Sequence, residues 1–156
     1  MAAPTPWTSE HAAEVYRLLE HPADLWIEVR GADFSALCAH ALIAFYDNLV
    51  DTGTVQTAQA RHVTVEEATP AEALRALMAE ALYLFDAEGF VGAAVQVDAE
   101  EPRPGERVPV EAVVWGELLD LTRHDPLGEI KAITYHQLRA EPDPGGGWVA
   151  TVLLDV

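Results

Sequence analysis

The sequence predicts a two-layer α+β domain, with two amphipathic helices covering one face of a mainly antiparallel sheet. Three observations carry this. Apolar residues recur at helical spacing from Phe34 to Leu49, a second helical stripe follows Thr69, and after Gly89 the chain reads as strand, interrupted only by polar Pro/Gly-rich linkers.

In chain order, residues 1–12 hold two prolines and follow neither the strand nor the helix period, so they read as a flexible N-terminal tail before a single domain over 13–156. Two β-like stretches, VYRLLE at 15–20 and LWIEVR at 25–30, flank His21-Pro22-Ala23-Asp24. Pro22 cannot donate to a central ladder, so this segment is a turn or a strand edge. From Asp33 the period changes. Phe34, Leu37, Cys38, Ala41, Leu42, Phe45 and Leu49 form one helical face, expected to stop near Asp51 with Gly53 as a left-handed cap. RHVTVEE at 61–67 alternates as a strand. Thr69-Pro70-Ala71-Glu72 is a capping box with proline at the first helical position. Leu74, Leu77, Met78, Ala81, Leu82 and Phe85 continue that helix to Gly89. Strands are expected near 90–98, 108–118, 129–140 and 147–155, the last two paired as a hairpin through the turn at 142–147.

Composition narrows the function. The 156 residues make about one domain. Nine basic residues against 26 acidic ones give a formal charge of -17, which repels nucleic-acid phosphates and anionic membranes. Direct nucleic-acid binding is therefore not expected, and the acid excess also suits plain solubility or tolerance of salt. A single cysteine, Cys38, excludes an internal disulfide and a multi-thiolate zinc site, and points to a reducing cytoplasm. The N-terminal segment lacks the charge and apolar block of a secretory signal, and no apolar run is long enough to span a membrane.

The chain has no phosphate-cradling glycine loop, HExxH pair, EF-hand loop or GxSxG elbow. Asp51-Thr52-Gly53 matches the aspartic-protease triplet in letters only. It ends a helix, so it reads as a cap and turn. Three places set polar residues against the local pattern: His21 and Asp24 in the HPAD turn, Lys131 to His136 in KAITYH, and Asp155 with Val156 after an apolar strand. Each also has a plain structural reading, as a turn aspartate, a gatekeeper lysine or a solvated terminus. On residue chemistry they define an acidic α+β domain with a candidate carboxylate metal site.

Taken together, HxAD between two N-terminal strands, an amphipathic helix, a second helix ending LYLFD at 82–86, then KAITYH and a final Leu-Asp-Val resemble the archease family, from about Tyr16 to Val156. Glu20, Pro22 and Gln137 depart from residues common in that family, where Asp, Thr and an acidic residue are usual; Pro22 stiffens the turn and removes an amide and a hydroxyl.

The resemblance implies an accessory protein without catalysis of its own. Archeases activate the GTP-dependent RNA-splicing ligase RtcB in tRNA splicing and RNA repair, promoting guanylylation of the ligase and multiple turnover. Carried over by position, it implies a metal site at Asp24, Asp155 and an oxygen of Val156, with Lys131 as the activating contact and His21 and His136 in support. Such oxygen ligands suit Ca²⁺, Mg²⁺ or Mn²⁺. The competing expectation is a metal-dependent hydrolase or nucleotidyl enzyme built on Asp24 and Asp155.

Overall fold

In the computed structural model, residues 7–8, 15–19 and 24–156 are described. The period-2 segments become strands β1 (Trp7–Thr8), β2 (Tyr16–Leu19), β3 (Asp24–Gly31), β4 (Gln59–Glu67), β5 (Phe90–Asp98), β6 (Val108–Leu118), β7 (Ala132–Ile133), β8 (Arg139–Pro142) and β9 (Trp148–Asp155). The two helical stripes become α1 (Phe34–Leu49) and α2 (Pro70–Glu88). The α+β class, with two helices packed on antiparallel sheet, is the expected one. Every strand pair is antiparallel.

The strands divide between two sheets, a four-stranded one in the order β1-β5-β6-β4 and a five-stranded one in the order β2-β3-β9-β7, with β8 also pairing β9. Periodicity along one strand carries no information about which strands share a sheet. α1 packs against β3 of one sheet and β5 of the other, and α2 also touches both. The residues of α1 off its predicted stripe include Ala39, Ile43 and Ala44, which are as buried as those on it. A helix apolar nearly all round belongs inside. α2 is one-sided, burying Ala73, Leu74, Leu77, Met78, Ala81 and Leu82.

Local chemistry accounts for the ends of these elements. The Asp33 carboxylate accepts from the Ala36 amide at 2.7 Å and starts α1. Thr69 Oγ1 accepts from the Glu72 amide at 3.1 Å and starts α2, which ends at Gly89 in the left-handed region (φ 73°). Thr69→Ala is accordingly expected to cost about 1 kcal/mol of stability, read as a lower denaturant midpoint at unchanged m-value.

Three expectations need correction. Gly53 is not a left-handed cap: α1 ends at Val50, in extended backbone, and Asp51 turns the chain into a short 3₁₀ turn (Thr52–Thr54) by accepting from the Gly53 amide at 3.1 Å. The strand expected over 129–140 is broken, because residues after Ile133 fold into a turn with Gln137 at φ 55° before β8 begins. Within the segment read as a loose tail, Trp7–Thr8 pairs with Ala94 and Val95 of β5. Two residues are too few for any period to register. The rest of 1–12 lies outside the described residues.

Candidate functional site

The register of β3 on β9 builds the candidate site. Leu25, Ile27 and Val29 share a face with Leu154, Val152 and Ala150, and burying that face leaves no freedom to slip by one residue. The same parity turns Asp24 to the opposite face and pairs it directly with Asp155. Carboxylates opposite one another in this way have Cβ atoms about 4.5–5.5 Å apart and repel when nothing lies between them. Asp24 is half-buried and Asp155 exposed.

The KAITYH segment closes the other side of β9. Ala132 pairs with Asp155, and the Lys131 amide donates to the Asp155 carbonyl at 2.7 Å. The Thr134 amide and hydroxyl both donate to the Leu153 carbonyl, at 3.0 and 2.9 Å. Thr151 Oγ1 donates to the Gln137 carbonyl at 3.0 Å, so the turn after β7 folds back over β9. Lys131 is exposed, and Val156, which follows Asp155, is 39% exposed. The structure thus gathers Asp24, Asp155, Val156 and Lys131 at one end of the five-stranded sheet. His136 is exposed in the turn, its amide donating to Thr134 Oγ1 at 3.2 Å. His21 and Pro22 lie outside the described residues, so the role expected of His21 has no geometry here.

Among the described residues no group of three or more His, Cys, Asp or Glu side chains could hold a metal ion. The candidate donors that the register sets opposite one another are the two aspartates. Two hard oxygen donors set face to face at a solvent-exposed strand end fit an oxygen-preferring divalent cation, with water completing its shell, and do not fit a thiolate-preferring one. Cys38 is sealed in the core, where burial pushes its thiol pKa upward.

Farther along the same face, Glu28 is held by Arg17 at 2.8 Å and by Arg30 at 3.6 Å. The Arg17 hydrogen bond keeps its carboxyl below the ordinary range.

Two features escaped the sequence. At the end of β6, Glu117 accepts from Arg123 and from the Gln56 amide, and lies 3.4 Å from Nε2 of the buried His124. The Arg123 hydrogen bond holds the Glu117 carboxyl below its usual value. The Asp120 amide donates to His124 Nδ1 at 2.8 Å, which leaves Nε2 as the protonated nitrogen of the neutral ring. Together with the Asp51–Asp125 and Leu127–Leu49 backbone bonds, this cluster fixes the linker that leads to Lys131. The second feature is Arg75 of α2, whose Nε donates to the Ile133 carbonyl at 2.9 Å and whose guanidinium lies over the Tyr135 ring, 4.0 Å from its centroid. Arg75 interrupts neither stripe nor cap of α2, so only the fold shows what it reaches.

None of the helices among the described residues is long and apolar enough to cross a membrane. Residues 16–156 match the model of the Archease protein family (MTH1598/TM1083). The chain is 35% identical to a protein archease of Thermococcus gammatolerans over 137 residues, covering 88% of this chain and 95% of that one. It is 34% identical to a protein archease of Archaeoglobus fulgidus, covering 90% and 98%. The solution structure of Methanobacterium thermoautotrophicum protein 1598 superposes with a TM-score of 0.78 over 92% of this chain and 99% of that one, at 22% identity, which speaks for the fold alone.

Proposed function

Because this chain belongs to the archease family, we propose that it is a non-catalytic activator of an RtcB-type RNA-splicing ligase, promoting guanylylation and multiple turnover of that enzyme in the cytoplasm. The observation that carries the reading is the meeting of Asp24, Asp155 and the Lys131 backbone across β3, β9 and β7, positions far apart in sequence. In this reading Asp24, Asp155 and a main-chain oxygen of Val156 hold a divalent cation, Ca²⁺, Mg²⁺ or Mn²⁺. When bound, that cation neutralises the facing carboxylates and supplies positive charge for the phosphates of the nucleotide at the ligase.

The protein's own residues then have separate tasks. Asp24 and Asp155 bind the ion and are fixed by the strand ladder. Thr134 and the Lys131 amide tie the KAITYH segment to β9, so the lysine side chain projects from a rigid edge. Its ammonium is a compact point charge within a strongly acidic molecule, suited to a phosphate or carboxylate of the complex.

A guanylylation assay with purified ligase tests this reading. Lys131→Ala is expected to cut stimulation about tenfold to a hundredfold, the usual loss for a charge-assisted contact. Its folding stability should stay within about 0.5 kcal/mol of the parent. Lys131→Arg should restore little, since a planar fork does not replace a point charge. Stimulation by Lys131→Ala at the parental rate would remove Lys131 from the site. Turnover of GTP or RNA by the protein alone, abolished by Asp24→Asn, would favour the metal-dependent hydrolase instead.

A further inference from the structure

β4 closes the four-stranded sheet, pairing β6 on one side and no strand among the described residues on the other. The other edge strands, β1, β2, β7 and β8, have two to four residues each, whereas β4 runs for nine. Long edges are ordinarily blunted by proline, lysine or a bulge. β4 has none of these, and its register on β6 is unbroken from Gln59 to Glu67.

Parity fixes which groups this edge presents. The Leu119 amide donates to the Gly89 carbonyl in line with the β5 ladder, so odd residues of β6 bond toward β5 and even ones toward β4. Pro109, with no amide to give, falls accordingly on the β5 side, past the last pair at Asp98 and Glu111. The even residues of β6 oppose Gln59, Arg61, Val63, Val65 and Glu67. Ala60, His62, Thr64 and Glu66 therefore turn their amides and carbonyls outward. Arg61 reaches the Ala60 carbonyl at 3.0 Å and Arg107 the Glu66 carbonyl at 3.2 Å. Between them, His62 and Thr64 are exposed, and the described residues supply no partner to their outward main-chain groups.

The side chains along the edge select what fits it. Arg61 and His62 stand in the first half of β4, Glu66 and Glu67 in the second. A second β4 laid antiparallel, in register about Val63, sets His62 opposite Thr64 and diagonal to Glu66 of the other copy, with Arg61 diagonal to Glu67. A two-fold axis repeats each pair, and even residues meet even residues, so outward amides find outward carbonyls. Arg61 and Glu66 already hold Glu88 and Arg107 within the chain, which fixes their side chains before the copies meet. α2 touches β5 and β6 as well as β4, so it sits inboard of the edge. We infer that β4 is a self-association edge, pairing antiparallel with β4 of a second copy to join two four-stranded sheets into one. The cation site lies on the other sheet, and this pairing does not depend on it. A charge of -17 on each copy opposes their encounter. Salt screens that repulsion over about 8–10 Å, while pairs within the ladder are in contact.

Sedimentation equilibrium and amide hydrogen exchange on the intact chain test the pairing. The parent is expected to pass from monomer to dimer with rising concentration, more readily as sodium chloride rises from about 20 to 200 mM. Exchange at the His62 and Thr64 amides should slow about tenfold or more in the dimer, while the Arg61 and Val63 amides, bonded to β6, stay protected throughout. Thr64→Pro removes an outward amide and no bond within the chain. It should weaken the dimer about tenfold or more at a nearly unchanged thermal midpoint. Glu66→Lys combined with Glu67→Lys should weaken it at least as much, by setting like charges together. A parent that stays monomeric to about 1 mM in high salt, or a Thr64→Pro variant that dimerises at parental strength, would overturn the inference. Protection of His62 and Thr64 gained only on adding purified ligase, with the chain otherwise monomeric, would give the edge to a strand of that partner and overturn it too.

Discussion

Gly116→Ala is expected to destabilise the protein by about 3 kcal/mol or more, a loss of about 6–12 °C in Tm for a domain of this size. Gly116 lies in β6 opposite Gly92 of β5, where the register shifts between Gly92 and Ala94. A Cβ at Gly116 would overlap the Val91 carbonyl oxygen and stand 2.8 Å from Gly92 Cα. Backbone meets backbone there, so no side chain can swing aside, and the strands must separate at the centre of the four-stranded sheet. Gln59 of β4 pairs with Gly116 on its other edge, so the displacement would pass to a second ladder. Thermal denaturation followed by circular dichroism measures the effect; a midpoint within about 2 °C of the parent would show that the strands yield more easily than this.

Asp155→Asn is the second large effect, and it separates folding from binding. Removing one of two facing carboxylates should lower calcium affinity by about a hundredfold or more, since even groups that only orient a ligand contribute about tenfold to a hundredfold. Without metal, the same change removes a like-charge pair across β3 and β9 and should leave stability unchanged or slightly higher. Calcium should therefore raise the Tm of the parent by mass action and leave that of Asp155→Asn nearly where it was. Asp24→Ala should behave alike in calorimetry. Equal calcium affinity in parent and both variants would remove the cation from the site.

Much of the fold was legible because local chemistry decides it. Thr69 with Glu72, Gly89, Asp33 and the 142–147 turn each sit where their backbone preferences require, and the structure uses all of them. The pairing of Asp24 with Asp155 at the candidate site was marked in a different way. Asp24 and Asp155 had only odd polarity at strand ends to mark them, and it took the resemblance of the surrounding segments to join them. What stayed hidden depends on packing between elements distant in sequence. Ala39, Ile43 and Ala44 are apolar, but only a second sheet makes their side of α1 interior. The turn after Ile133 follows from Thr134 and Thr151 finding carbonyl partners, and Arg75 and His124 take their meaning from partners on other elements.

The sealing of α1 between the sheets has a consequence for cooperativity. Phe34, Leu37, Phe45 and Leu49 belong to one continuous core to which Ile27 and Val152 of one sheet and Val95 and Val114 of the other also contribute. Neither sheet can shed the helix and keep its own interior dry. The two halves of the molecule are therefore expected to melt as one body, in a single transition at which circular dichroism and fluorescence coincide. The edge that carries Asp24 and Asp155 accordingly draws its rigidity from residues on the far side of the protein, and a change in the distant sheet can loosen it without touching a single group at the surface.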